Sequence, residues 1–278
     1  MPRRVGMKRK CSVNRDNQSK VAKSVSDTSH EDEPFPYHMR PTREECLTVR
    51  DALLSLHGFP LEFAQYRRQR QRLKDNTEEN SPCCATESVL DGLIKTILSQ
   101  NTTEANSLKA FTNLKIAFPS WNEVVDADSK SVEDAIRCGG LAASKTSCIR
   151  TILNFLLQQK GKICMEYLRN MSVAEIKAEL SQFRGIGPKT VSCVLLFNLQ
   201  HDDLPVDTHV YRIAKAVGWV PITATISKTY VHLNQRIPDE LKFDLNCLLY
   251  THGKLCKGCT ANVRRQRITC SLLQMMNS

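Results

Sequence analysis

From Thr86 onward the apolar residues recur at intervals of three and four, and nowhere do they alternate over a strand-length run. Val89, Leu90, Leu93, Ile94, Ile97 and Leu98 fall on one helical face. Leu108, Phe111, Leu114 and Phe118 predict the next helix, ended by Pro119, and Ile149, Ile152, Leu153, Leu156 and Leu157 another, after the Cys138-Gly139-Gly140 turn. Thr42 with Glu45, and Ser172 with Glu175, have capping-box spacing, so each pair marks a helix start. Further helices are expected from Pro188 through Leu196, from Val210 to Val217, and as a pair over about 224–236 and 239–250. With no repeat at solenoid spacing, the pattern predicts an all-α fold of many short helices.

A chain of 278 residues can bury one sizeable core or two small ones. Its formal net charge of +10 points to a polyanionic partner. Much of the excess lies in two runs: Arg3, Arg4, Lys8, Arg9, Lys10, Arg15, Lys20 and Lys23, then Arg67, Arg68, Arg70, Arg72 and Lys74. Either run also fits a solvated face with no partner. Residues 1–41 are poor in large apolar side chains and read as a disordered basic tail. Residues 42–85 read as an N-terminal helix, closed by Gly58 and Pro60, and a basic linker, and 86–275 as the main domain. No apolar run is long enough for a membrane span, and no leader-like apolar core precedes the domain, so neither membrane insertion nor secretion is expected. The twelve cysteines are accordingly read as mostly reduced thiols. Lys8-Arg9-Lys10 fits nuclear localisation; the basic, serine-bearing start also fits an organellar transit peptide.

Arg184-Gly185-Ile186-Gly187-Pro188-Lys189-Thr190 carries the chemistry-bearing pattern. Its glycines permit positive φ and close backbone approach, and Pro188 suits the first turn of the following helix. Unsatisfied amides at that helix start can meet a phosphate oxygen, aided by the helix dipole. On the glycine pattern alone an ordinary helix–helix corner is the preferred reading. Further on, Val206-Asp207-Thr208-His209 places a carboxylate before an apolar helical run, where aspartate is in the first place an N-cap.

Phe183 through Thr190 resembles the helix-hairpin-helix of the HhH-GPD superfamily of DNA glycosylases, those related to endonuclease III. Val206-Asp207-Thr208-His209 is similar to that family's aspartate motif. Leu98-Ser99-Gln100-Asn101-Thr102-Thr103 is similar to its segment that penetrates DNA beside the extruded base. The three occur in family order, and the helix at 42–58 corresponds to the family's N-terminal helix. The resemblance implies a two-lobed helical fold, an active site in the cleft between lobes, and a monomer. The implied partner is double-stranded DNA containing a damaged, modified or abasic nucleotide. Bifunctional members carry a lysine where Lys189 stands. Its amine attacks the sugar C1′, expels the base and leaves a Schiff base that permits strand cleavage. A partly desolvated cleft favours the unprotonated amine that such attack needs; outside this resemblance Lys189 is a phosphate-binding surface lysine. Asp207 is implied as the catalytic carboxylate, fixed by its capping bonds, and His209 as a structural neighbour. Gln100 or Asn101 fills the gap left by the extruded base, the local register leaving both open; a polar pair also caps a helix end. Arg184, Gly185 and Gly187 are assigned to the DNA phosphate. Lys254, in His252-Gly253-Lys254, is assigned to the DNA backbone, though a helix-end cap suits it equally. The implied function is a bifunctional DNA glycosylase/AP lyase of base excision repair, with a non-catalytic helix-hairpin-helix DNA-binding protein as the alternative. The excised base is open between an oxidised pyrimidine, an oxidised purine and, by analogy with the far longer DEMETER-like demethylases, 5-methylcytosine.

The chain departs from the family in three places. Many relatives hold a [4Fe-4S] cluster with four cysteines spaced Cys-x6-Cys-x2-Cys-x5-Cys. Here Cys256 and Cys259 are followed by no cysteine until Cys270, the first of the four is missing, and Cys247 lies in an apolar helix. A cluster needs four protein thiolates, so none is expected and no cofactor or metal is assigned. A zinc site of His252, Cys256, Cys259 and Cys270 stays open, although its spacing is unlike the common ones. Arg184 stands where the family often has proline, loosening the turn and adding a cation. Cys193, one turn after Lys189, is similar to the oxoguanine glycosylases, which lack the cluster; a small buried residue fits it too.

Overall fold

A computed structural model describes residues 33–74, 87–256, 258 and 270–277. Among them twelve helices run from the N-terminal side to α12: α1 Arg43–His57, α2 Ala64–Lys74, α3 Val89–Leu98, α4 Glu104–Ala117, α5 Trp121–Asp126, α6 Ser129–Ile136, α7 Ala142–Lys160, α8 Val173–Ser181, α9 Pro188–Cys193, α10 Thr208–Ala216, α11 Ile226–Arg236 and α12 Asp239–Leu255. A C-terminal helix, Ser271–Asn277, follows. No strand occurs among the described residues.

Local chemistry explains most helix starts. Thr42, Ser120 and Ser172 each make a full capping box with the glutamate three residues on, and Ser88, Thr103, Asp128 and Thr225 cap with their side chains. Each cap satisfies amides the helix itself cannot. Gly58 ends α1 at φ 66°, as expected of a glycine stop.

Two cores form, one per lobe. The first gathers Leu93, Ile97, Leu114, Ile136, Ile149, Leu153, Leu180 and Val194 from α3 through α9. The second gathers Val49 and Leu53 of α1, Val210, Ile213, Trp219, Leu233, Leu245 and Leu248 of α10–α12, and Leu272 of the C-terminal helix. Leu196, Phe243 and Cys247 make a small third cluster at the seam, ringed by Phe59, Phe63, Tyr66 and Phe197. This is the two-lobed helical arrangement that the hairpin resemblance implies.

Several expectations are corrected. Leu108 does not face the core: it is 63% exposed, and α4 buries Ser107, Ala110 and Leu114 instead. The cause is close packing, since a Cβ on Gly139 would sit 3.1 Å from that of Ala110, and small residues alone allow this approach. Leu157 is likewise 41% exposed, one step off the buried face of α7. The short helices α5 and α6 are not among the expected elements, although Val132 and Ile136, four residues apart, are both buried on one face of α6. Residues 33–41, expected within a disordered tail, are ordered against α11. His38 Nε2 is 3.0 Å from Gly218 O, His232 Nε2 is 2.7 Å from Arg40 O, and Phe35 meets the His232 ring edge-on at 5.4 Å. The rest of the tail and its basic run lie outside the described residues, as do 75–86.

The second basic run is not simply solvated. Arg70 is buried, pairs with Asp202, donates to Leu196 O at 3.2 Å and stacks over Phe243. Arg67 pairs with Asp244 at 2.7 Å and lies over Phe59. These arginines fasten α2 along the seam, so α2 serves as a structural strap.

Candidate active site

The hairpin lies between α8 and α9, with φ of 100° at Gly185. A Cβ there would also approach Cys148 Sγ to 3.2 Å, so both the turn and the packing on α7 demand glycine. Gly185→Ala is expected to cost about 1–3 kcal/mol, measured by urea unfolding. Gly187 differs: its φ is −95° and a Cβ would meet nothing within 4 Å. Its merit is the bare approach it leaves to the start of α9, whose N-cap has no side-chain partner. Arg184 is exposed beside it.

Lys189 is exposed in the first turn of α9. Asp207 caps α10 from the other lobe, its Oδ1 accepting from the amides of His209 and Val210, both at 2.9 Å. No donor among the described residues bonds its Oδ2. Both groups bear electrostatically on the Cys193 thiol. Burial pushes that thiol up to about 11, Lys189 pulls it down, and Asp207 and Asp203 push it up. The amine at the start of α9 and the carboxylate that caps α10 thus both lie within electrostatic reach of Cys193. The α9 spacing that puts Cys193 one turn after Lys189 accounts for the first half of this.

The second half depends on how the crossing segment between lobes is held. Asp203 is buried and accepts from Ser192 Oγ of α9, from Tyr230 OH of α11 at 2.8 and 2.9 Å, and from Lys177 Nζ of α8 at 2.7 Å. Burial opposes the charge on Lys177, but its bonds to Asp203 and Tyr230 win and raise its pKa. Asn234 then clasps both the N–H and the C=O of Leu204, at 2.7 and 3.0 Å, and Asn246 donates to Pro205 O at 2.9 Å. Three successive residues are pinned before Asp207 is delivered. Sequence reasoning missed all of these partners, which come from helices distant in the chain.

The segment after α3 is tied to the hairpin. Gln100 Nε2 donates to Gly185 O at 3.0 Å and to Thr190 Oγ1 at 3.1 Å. Lys145, 2% exposed, donates to Leu98 O at 2.7 Å and Gly139 O at 2.9 Å and so closes the end of α3. Nothing in the sequence signals it, since α7 also carries Arg150 and Lys160. Asn101 is exposed at φ 51°, the left-handed corner of the segment. Lys254 pairs with Glu104 at 2.7 Å, a bond that raises its pKa, and lies over the Tyr250 ring. It thus joins α12 to the start of α4. His209 meets Tyr250 edge-on at 5.9 Å and lies over Gly253, where any Cβ would come within 2.4 Å of its own. Its role here is packing.

A two-lobed helical body with a glycine hairpin before α9 and a capping aspartate before α10 defines a helix-hairpin-helix glycosylase architecture. Residues 94–239 match the model of the HhH-GPD superfamily base excision DNA repair protein, and the chain belongs to that family. It is 59% identical over 262 residues to an Arabidopsis thaliana protein named as a candidate DNA glycosylase, covering 91% of this chain and 89% of that one. It is 30% identical over 181 residues to endonuclease III of Sulfolobus acidocaldarius, covering 63% of this chain and 78% of the relative. Among solved structures, a non-covalent endonuclease III–DNA complex superposes with a TM-score of 0.55 at 20% identity, over 77% of this chain and 98% of that one.

Proposed function

We propose that this protein is a bifunctional DNA glycosylase and AP lyase of base excision repair, with Lys189 as the nucleophile and Asp207 as its carboxylate partner. What supports this reading is that Lys189 at the start of α9 and Asp207 at the cap of α10 both lie within electrostatic reach of Cys193, in a chain that belongs to the HhH-GPD family. In the proposed reaction the Lys189 amine forms a bond to C1′ of the deoxyribose as the glycosidic C–N bond breaks. The base leaves with that electron pair and takes up a proton. Ring opening gives an imine, and loss of a C2′ proton then expels the 3′-phosphate. Asp207 Oδ2 stabilises the positive charge that develops on the sugar and accepts the amine proton.

The hairpin amides near Gly187, with Arg184, hold a DNA phosphate. Asn101 enters the space left by the extruded nucleotide, because Gln100 is already committed to the hairpin. Asn101→Ala is accordingly expected to slow base removal about tenfold, whereas Gln100→Ala chiefly loosens the segment; the tenfold loss corresponds to ~1.4 kcal/mol. Single-turnover rates on one duplex compare the two. The decisive test is borohydride trapping of the full chain on duplexes carrying an abasic site or a panel of oxidised and methylated bases. A covalent adduct supports the lyase; tight binding with no adduct on any duplex assigns the protein to DNA binding without catalysis.

A further inference from the structure

The far end of α12 gathers three metal-ligating side chains that the proposed reaction does not use. His252 and Cys256 stand one turn apart at the close of the helix, so one face carries both. Cys270 is buried just ahead of the C-terminal helix, and its Sγ lies 3.3 Å from His252 Nε2. One donor atom from each of the three lies within 4.8 Å of the other two. In a tetrahedral zinc site, Zn–S of about 2.3 Å and Zn–N of about 2.0 Å put ligand atoms roughly 3.5–3.8 Å apart. Small side-chain adjustments therefore let these three share a single ion. The second ring nitrogen of His252, Nδ1, is 2.9 Å from Nε2 of His57, the last residue of α1. With His57 accepting that hydrogen bond, the His252 tautomer is set and the Nε2 lone pair points at the ion, as metal-bound histidines commonly require.

We propose that His252, Cys256 and Cys270 bind one structural Zn²⁺ ion, which fastens the C-terminal helix to the end of α12. Imidazole and thiolate together are the donor set zinc favours. The set does not fit the family's iron-sulfur cluster. A [4Fe-4S] cube is ligated at its corners by four thiolates, whereas here an imidazole stands among the thiols and the donor atoms close in as around a single ion. Sequence spacing alone left a zinc site open without supporting one. The fold changes that by returning Cys270 to the helix end, where Leu272 then enters the second core beside α1.

The test is metal analysis of the full-length protein purified under air and anaerobically. About one equivalent of zinc per chain, without acid-labile sulfide, is expected, and Co²⁺ exchange should give a thiolate-to-metal charge-transfer band. Cys256→Ser and Cys270→Ser should each lose the zinc and the cobalt band. Cys247→Ser, at a buried thiol of the seam, should keep both and so reports any general loss of fold. His57→Phe keeps the three ligands but removes the ring acceptor, and should weaken zinc about 10- to 100-fold in chelator competition. Iron with sulfide would overturn the proposal. So would wild-type protein without metal after incubation with Zn²⁺, or zinc retained in both serine variants.

Discussion

Lys189→Gln is expected to abolish the borohydride adduct and to slow base removal about a thousandfold or more, the scale on which loss of a nucleophile is felt. The substitution is structurally mild. Lys189 is exposed, while the buried residues of its turn are Thr190 and Val191, so stability should stay within about 0.5 kcal/mol of wild type. Glutamine keeps most of the reach and can still donate to a phosphate, so affinity for an abasic duplex should change only a few-fold. The three readouts separate the possibilities. Lost adduct with kept affinity and fold identifies the nucleophile. A persistent adduct would move the Schiff base to another amine. Lost affinity together with lost adduct would make Lys189 a phosphate ligand, as its place at the start of α9 allows.

What could be read from the chain was the part written locally. Capping boxes at Thr42 and Ser172, the glycine stop at Gly58 and the strong face of α3 each depend on residues within one or two turns. The misses are contacts that close over long sequence distance. Nothing near Leu108 announces that α4 approaches Gly139 through Ala110, so its largest apolar residues were taken for the buried ones. Nothing in the arginine run separates Arg70, buried against Asp202 and Phe243, from exposed neighbours. Phe35 and His38 lie in a polar stretch and become ordered only because His232 and Gly218 meet them.

The candidate site divides along the same line. Lys189 and Asp207 each stand in a compact motif, so the sequence alone is enough to name them as candidates. What holds the segment before Asp207 is not legible there, since Asp203, Leu204 and Pro205 are bound by Ser192, Tyr230, Asn234 and Asn246. The choice between Gln100 and Asn101 was undecidable from register and turns on one side chain reaching the hairpin. The cluster at His252 is the clearest case: a spacing unlike familiar zinc motifs becomes a set of convergent donors once the chain folds back.

Asp207→Asn is expected to slow base removal about 10²- to 10⁴-fold, the usual span for loss of an acid–base group, with little loss of fold. Asn caps a helix nearly as well as Asp. Its carbonyl oxygen can take the bonds that Oδ1 now accepts from the amides of His209 and Val210. An amide NH2 then replaces Oδ2, removing the charge and the proton acceptor without moving the helix. Weaker interaction with the helix dipole should cost about 0.3–1 kcal/mol. Asp207→Ala removes both functions and should add a capping loss of about 0.5–2 kcal/mol, seen as a lower unfolding midpoint at similar catalytic defect. A preformed abasic site sharpens the comparison, because no base need leave. There Asp207→Asn should be less impaired in forming the borohydride adduct than in excising an intact base, while Lys189→Gln fails at both. If Asp207→Asn instead unfolds the protein, or excises at the wild-type rate, the carboxylate is a cap alone and the charge on the sugar must be met by another group.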